Sequence, residues 1–186
     1  MPTTPATQPQ TKRTTWELDP VHTLVEFSAK HMMITTVKGR FTDISGTILA
    51  DEADRSRSSV KATIKAASID TRTEQRDNHL RSADFLDVEH YPDITFTSTR
   101  VEAADQKHLR VIGDLTIHGV TKPVTLDTIF EGRMKDPWGG ERAGFTAKAR
   151  IDRREFGLTW NQALEAGGIL VSNEIDISIN AQAVKK

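Results

Sequence analysis

The chain contains no cysteine. This absence excludes a disulfide framework, a thiol nucleophile and a metal site built on thiolates. There is little net charge, because 25 Lys and Arg residues are balanced by 26 Asp and Glu residues, and no basic run is long enough to bind nucleic acid. No apolar stretch approaches the length that spans a bilayer. We therefore expect no nucleic-acid partner and no integral membrane segment.

The N-terminal residues lack the apolar core of a secretory signal. Residues 1–15 are rich in Thr, Pro and Gln, a composition that favours disorder. We predict a disordered lead-in over 1–15 and one domain over 16–186, a common domain size. The missing signal favours the cytoplasm. A signal removed from the chain would leave the same sequence and would indicate a periplasmic or secreted protein instead.

Alternation of apolar and polar residues dominates the rest of the chain. A period of two is typical of strands with one apolar face. The alternating segments are 25–29, 37–41, 44–50, 60–66, 94–98, 109–117, 124–130, 145–151 and 175–181. Polar or glycine-containing turns separate them, and no βαβ rhythm is present. Regularly spaced short strands of this kind predict an all-β sandwich or barrel.

One segment departs from the strand period. Thr71 followed by Glu74 has the spacing of a capping box, so we predict a short helix over 75–81 and a second helical turn over 82–88. Pro92 ends this insertion. Pro123 lacks a backbone donor, and we expect it to be the first residue of a strand.

Many residues at the inward-facing positions of the strands have small side chains. They include Ala29, Gly46, Ala62, Ala66, Gly113, Ala147 and Ala149. An eight-stranded barrel can either fill its interior with side chains or hold one ligand. Small inward residues favour a ligand-holding lumen, whereas alanine and glycine at bends would suit a packed barrel. The pattern alone leaves both interpretations open.

No catalytic motif is present. The six histidines form no His-Glu-x-x-His pair, and the chain has no Gly-x-Ser-x-Gly elbow and no phosphate-binding glycine loop. An enzymatic alternative would require His22, His31 or His118 to converge on a polar ligand atom at a barrel mouth. We expect no catalytic residue, no metal and no cofactor.

Several stretches, in this order, resemble the YceI-like family of polyisoprenoid-binding proteins. They are DPVHT at 19–23, HLRSADFLD at 79–87, GDLTIHGVTKPV at 113–124 and IDRREFGL at 151–158. The resemblance covers roughly residues 15–183. It implies an extended eight-stranded antiparallel lipocalin-like barrel with a short helical insertion. It also implies an elongated apolar tunnel in a protein that is often a homodimer, while the sequence itself leaves the oligomeric state open.

On this basis we expect a non-enzymatic protein that binds, stores or transports a long-chain isoprenoid, such as an isoprenoid quinone or a prenyl phosphate. The lipid tail would contact the lumen residues Val25, Phe27, Phe41, Ile64, Phe96, Leu115, Leu126, Phe145 and Ile177. At a mouth it would meet Leu80, Phe85, Phe156 and Trp160. Arg153 and Arg154 are candidates for an anionic head group, although solvated arginines are the simpler interpretation. A packed structural or stress-response barrel without cargo is the remaining alternative.

Overall fold

The computed structural model describes residues 12–186. The strands are β1 Arg13–Leu18, β2 Leu24–His31, β3 Thr35–Phe41, β4 Ile44–Asp51, β5 Ser59–Lys65, β6 Ile69–Asp70, β7 Asp93–Ala103, β8 His108–Ile117, β9 Val120–Lys135, β10 Glu141–Asp152 and β11 Glu174–Lys185. One α-helix, α1, spans Glu74–Arg81, and short 3₁₀ turns span Arg55–Arg57, Ala66–Ser68 and Arg153–Phe156. Among these described residues, no helix is long and apolar enough to cross a membrane.

The strands close into an antiparallel barrel, as predicted. β11 pairs with β10 on one side, and on the other side it pairs with β2 and then with β1. β1 and β2 therefore form one strand broken at the corner 19–23. Two further broken strands are formed by β3 with β4 and by β5 with β6. The first lies between the other two, because β3 pairs with β2 and β6 and β4 pairs with β1 and β5. With β7 to β11 the circuit has eight strands.

The barrel has two ends that differ in composition. We call one the Trp16 end, where β4 finishes and β5 begins. There Trp16 packs with Ala143 and Ala183. We call the other the Phe85 end, where β4 begins and α1 is inserted between β6 and β7. Its core contains the fully buried Phe156.

The strand region begins earlier than the predicted boundary at Trp16. β1 starts at Arg13, and Thr14 and Thr15 pair with Ala50 and Leu49 of β4. Thr14 also accepts a hydrogen bond of 2.9 Å from the indole nitrogen of Trp16. Residues 13–15 thus belong to the barrel because β-branched threonines suit a strand. The remainder of the predicted lead-in, 1–11, lies outside the described residues.

The helical insertion is confirmed, but its predicted cap is wrong. The residue that precedes α1 is Thr73, not Thr71. The Thr71 hydroxyl instead donates to the carboxylate of Asp77, which also accepts the Thr71 backbone N–H. The predicted second helical turn over 82–88 is also wrong, because Ser82 leaves the helical conformation and turns follow it.

Pro123 lies inside β9 rather than at its start, because β8 and β9 are joined by the tight turn His118-Gly119. Pro123 pairs in register with Asp114 of β8, whereas β10 pairs with β9 only from Asp127 onward. This part of β9 therefore has one edge that forms no backbone hydrogen bonds to β10. A proline is tolerated there because no backbone donor is needed on that side.

Candidate functional site

The barrel encloses a cavity of about 560 Å³. Its volume lies within the range of about 300–1,000 Å³ that is usual for small-ligand pockets. Every strand of the circuit contributes to the wall, which extends from Trp16 at one end to Phe85 at the other. Most of the wall residues are aliphatic or aromatic. Because this cavity is present, the side chains do not fill the interior of the barrel. Of the two interpretations that the small inward residues left open, the structure favours a lumen over a packed barrel.

All nine residues predicted to line the lumen contribute to the cavity wall. They are Val25, Phe27, Phe41, Ile64, Phe96, Leu115, Leu126, Phe145 and Ile177. Most of them, such as Phe27 and Ile177, remain half-buried although they point into the barrel. Inward side chains of a packed core would be buried on every side. Their exposed surface therefore faces the cavity, and their contact with a ligand remains a prediction.

The small inward residues have two different roles. The ring of Phe96 lies across Gly113, where an added Cβ would come within 2.6 Å of the ring carbon Cζ, and Phe27 lies across Gly39 in the same way. These two glycines let aromatic rings lie flat against the wall instead of filling the lumen. Ala62, by contrast, lines the cavity directly and leaves volume unfilled.

Arginines and aromatic rings lie together at the Trp16 end. The guanidinium carbon of Arg55 lies 5.1 Å from the centroid of the Phe130 ring, and that of Arg133 lies 5.0 Å from a Trp16 ring centroid. Both distances are within the range of cation–π attraction. Arg133 also pairs with Glu52 at 2.9 Å. The sequence pattern does not predict this set, because Arg55, Phe130 and Arg133 come together only when the barrel closes.

An aromatic cluster lies at the Phe85 end. His79 makes edge contacts with the rings of Phe85 and Trp160, at centroid distances of 5.1 and 4.7 Å. Leu80 and Phe85 contribute to the cavity wall, whereas Trp160 lies outside it. The cluster therefore packs the helical insertion against the segment that follows β10.

Arg153 is neither solvated nor free to bind a head group. It is 3 % exposed, and its guanidinium donates to the carbonyl oxygens of Leu158, Trp160, Val171 and Ser172 at 2.7–3.4 Å. Burial lowers the pKa of Arg153 below its ordinary value. The side chain borders the cavity but fixes the segment 158–172 to the barrel.

The two neighbours of Arg153 in the predicted mouth do not line the cavity. Arg154 is exposed, and its guanidinium pairs with Asp152 at 2.5 Å. Phe156 is 0 % exposed and is packed among Leu86, Ile117 and other side chains of the Phe85 end. Of the six predicted mouth residues, Leu80, Phe85 and Arg153 form part of the wall, and Phe156, Trp160 and Arg154 do not.

The histidines lie apart from one another and from the lumen. His22 is at the β1–β2 corner, His31 is at the far end of β2, and His118 is in the β8–β9 turn. None of the six contributes to the cavity wall. Residues 12–186 also contain no group of three or more His, Asp or Glu side chains that could hold a metal ion. The convergence that the enzymatic alternative requires is therefore not found.

His22 instead belongs to a surface network. Its imidazole bonds to the carboxylate of Asp19 at 2.8 Å, and Arg142 donates to the same carboxylate at 2.7 Å. These partners lower the pKa of Asp19 from 3.8 to about 2. Arg142 also donates to Asp136 at 3.0 Å, so the network ties the β1–β2 corner to the β9–β10 turn.

Known proteins share both the sequence and the fold. Protein YceI of Escherichia coli O157:H7 is 42% identical over 165 residues, which cover 89% of this chain and 83% of that protein. The crystal structure of a Campylobacter jejuni YceI protein is 36% identical and has a TM-score of 0.74, covering 84% of this chain and 90% of that one.

A more distant structure shares the fold alone. A polyisoprenoid binding domain from Saccharophagus degradans is 13% identical, with a TM-score of 0.63, over 92% of this chain and 98% of that one. The family of the YceI-like domain matches residues 16–183, which include all strands of the barrel circuit except the first three residues of β1 and the last two of β11. The chain belongs to the YceI-like family.

Proposed function

We propose that this protein binds one long-chain lipid of the polyisoprenoid type in the barrel lumen and stores or carries it without changing it chemically. The observation that supports this proposal is the apolar cavity of about 560 Å³, to which every strand of the barrel contributes. Such a cavity cannot hold water favourably, since its wall offers few hydrogen-bond partners. A flexible apolar chain would occupy it better.

The cavity volume gives a lower bound for the size of the cargo. A methylene group takes about the space of a water molecule, roughly 30 Å³. The volume of about 560 Å³ then corresponds to a chain of at least roughly 20 carbons, or about four isoprene units. Each buried methylene contributes about 0.8 kcal/mol relative to water. Contacts with the wall would therefore hold the lipid without a covalent bond.

Two further observations favour binding over catalysis. The cavity wall contains no histidine. Of the carboxylates at its Trp16 end, Glu52 pairs with Arg133, and Asp51 is buried with one oxygen bound to the backbone N–H groups of Ala53 and Asp54. General acid–base chemistry needs a titratable group within hydrogen-bond reach of the reacting atom. In addition, the S. degradans domain with this fold is described as polyisoprenoid-binding, which supports a polyisoprenoid as the cargo class; we propose an isoprenoid quinone or a prenyl phosphate within that class.

Native mass spectrometry of the purified protein, followed by solvent extraction and lipid identification, tests the proposal. We expect one prenyl-type lipid per chain. Protein stripped of lipid and then offered a C20 prenyl alcohol should regain one equivalent. If the stripped protein takes up none, the carrier function is refuted and a barrel without cargo is favoured. If the extracted lipid is altered on incubation, the non-enzymatic part is refuted.

A further inference from the structure

The polar side chains of the cavity wall are concentrated at the Trp16 end. In addition to Asp51, they include Glu52, Arg55, Ser58, Ser59 and Arg133. At the Phe85 end, the guanidinium of Arg153 already donates its hydrogen bonds to main-chain carbonyl oxygens. A lipid with a polar head group would therefore find different partners at the two ends.

Arg55 is the arginine of the cavity wall at the Trp16 end that combines free donors with the absence of a carboxylate partner among residues 12–186. Its side chain is half-buried, borders the cavity and lies over the ring of Phe130. Nη1 donates to the carbonyl of Gln106. Within residues 12–186, Nε and Nη2 make no hydrogen bond, and no carboxylate forms an ion pair with Arg55. Two adjacent N–H-bearing nitrogens of a guanidinium can bind a carboxylate or phosphate in a bidentate manner.

The carboxylates around Arg55 are directed towards other groups. Glu52 pairs with Arg133 at 2.9 Å. Asp51 accepts two backbone N–H groups through one oxygen. Its other oxygen is buried without a hydrogen-bond partner among the described residues and lies 3.7 Å from Nε of Arg57. Asp54 accepts the backbone N–H and the hydroxyl of Ser56. Of the two arginines of the cavity wall at this end, Arg133 has an acidic partner and Arg55 has none among the described residues.

We propose that Arg55 is the head-group site of the lumen, and that it binds the anionic oxygens of a carboxylate or phosphate, assisted by the hydroxyl groups of Ser58 and Ser59. The lipid tail then extends from the Trp16 end towards Phe85. This assignment rests on the proposed lipid-binding function and adds to it the direction of the lipid and the charge of its head group.

A matched series of C20 ligands tests the site. Phytane, phytol, phytanic acid and phytyl phosphate share one tail and differ in the head group, and competition with a fluorescent lipid gives their relative affinities. A charge-assisted hydrogen bond favours binding by about tenfold to hundredfold. We therefore expect the acid and the phosphate to bind more tightly than phytane by that factor. The affinity of phytol should lie between that of phytane and those of the two anionic ligands. The ratio of acid to phosphate tells which anion the site prefers.

Variants of Arg55 separate the head-group site from the lumen. Arg55→Met keeps the apolar stem and should remove the preference for the acid and the phosphate over phytane. Arg55→Lys should retain part of that preference. Arg110→Met, on the outside of β8, is the matched control and should behave like the wild type. Retained phytane binding also shows that the variant is folded.

The outcomes distinguish the two proposals. If the wild type binds phytane and phytanic acid equally, or if Arg55→Met keeps the preference, the head-group site is refuted and the lipid-binding function stands. If the wild type binds none of the four ligands, the lipid-binding function fails and the head-group site fails with it.

Discussion

A larger side chain in the lumen should stabilise the protein and make it bind shorter lipids. Ala62 lines the cavity between Gly46 of β4 and Phe96 of β7. A phenyl ring at this position would occupy roughly 150 Å³, the size of an apolar cavity that takes up benzene. That is about a quarter of the available 560 Å³, or about one isoprene unit.

The sign of the stability change distinguishes an empty lumen from a packed one. Full burial of a phenylalanine side chain contributes about 1.5–3 kcal/mol, whereas overpacking a filled core costs about 1–3 kcal/mol. For Ala62→Phe we expect the free energy of unfolding to rise by about 1 kcal/mol, since the ring is only partly enclosed. The melting temperature would rise by about 2–4 °C for a chain of this size.

Thermal unfolding of lipid-free protein and native mass spectrometry of lipid-loaded protein are the two assays. The lipid mixture bound by Ala62→Phe should shift to chains about five carbons shorter, as follows from roughly 30 Å³ per methylene. Lys61→Phe, on the outside of the same strand, should leave the bound lipids unchanged. A melting temperature that falls by several degrees, with an unchanged lipid profile, would refute the argument that the barrel interior is void.

Three further predictions follow from other parts of the structure. Arg153→Met should lower the free energy of unfolding by about 3 kcal/mol, because buried carbonyls lose a charged donor, while Arg154→Met at the surface should change it by less than about 0.5 kcal/mol; urea denaturation measures both. The pKa of Asp19 is lowered to about 2 by His22 and Arg142, so its ionised form stabilises the fold above pH 4 and this stabilisation is lost as the pH falls towards 2. Asp19→Asn should therefore lose less stability than the wild type between pH 4 and pH 2, and an equal loss would contradict the assignment. The homodimer implied by the family predicts a mass near twice 20.7 kDa in light scattering, and a mass near 20.7 kDa would contradict it.

The barrel could be predicted from the sequence because its strands are regular. Alternation such as that of Phe145, Ala147 and Ala149 fixes which side chains face the interior, since a period of two leaves no other choice. The same reasoning predicted nine residues of the lumen, and all nine contribute to the cavity wall. It could not decide between a packed and an empty interior, because that depends on how rings such as Phe96 lie against neighbouring glycines.

The ends of the barrel could not be predicted in this way. Arg153 and Arg154 are adjacent in a surface-like sequence, yet one is buried and the other exposed. The difference arises because residues 158–172 fold back and direct their carbonyls at Arg153, a contact that no local pattern reveals. Arg55 was overlooked for the same reason, since its partners Gln106 and Phe130 belong to distant parts of the chain.

Photo-crosslinking with a C20 prenyl probe that carries a diazirine in its tail tests the central claim most directly. After irradiation, peptide mapping should locate the label on inward residues such as Phe96, Leu126 and Ile177, and an excess of unlabelled prenyl lipid should suppress it. Label on outward residues such as Thr97 and Asp127, or label that excess lipid does not suppress, would contradict binding in the lumen.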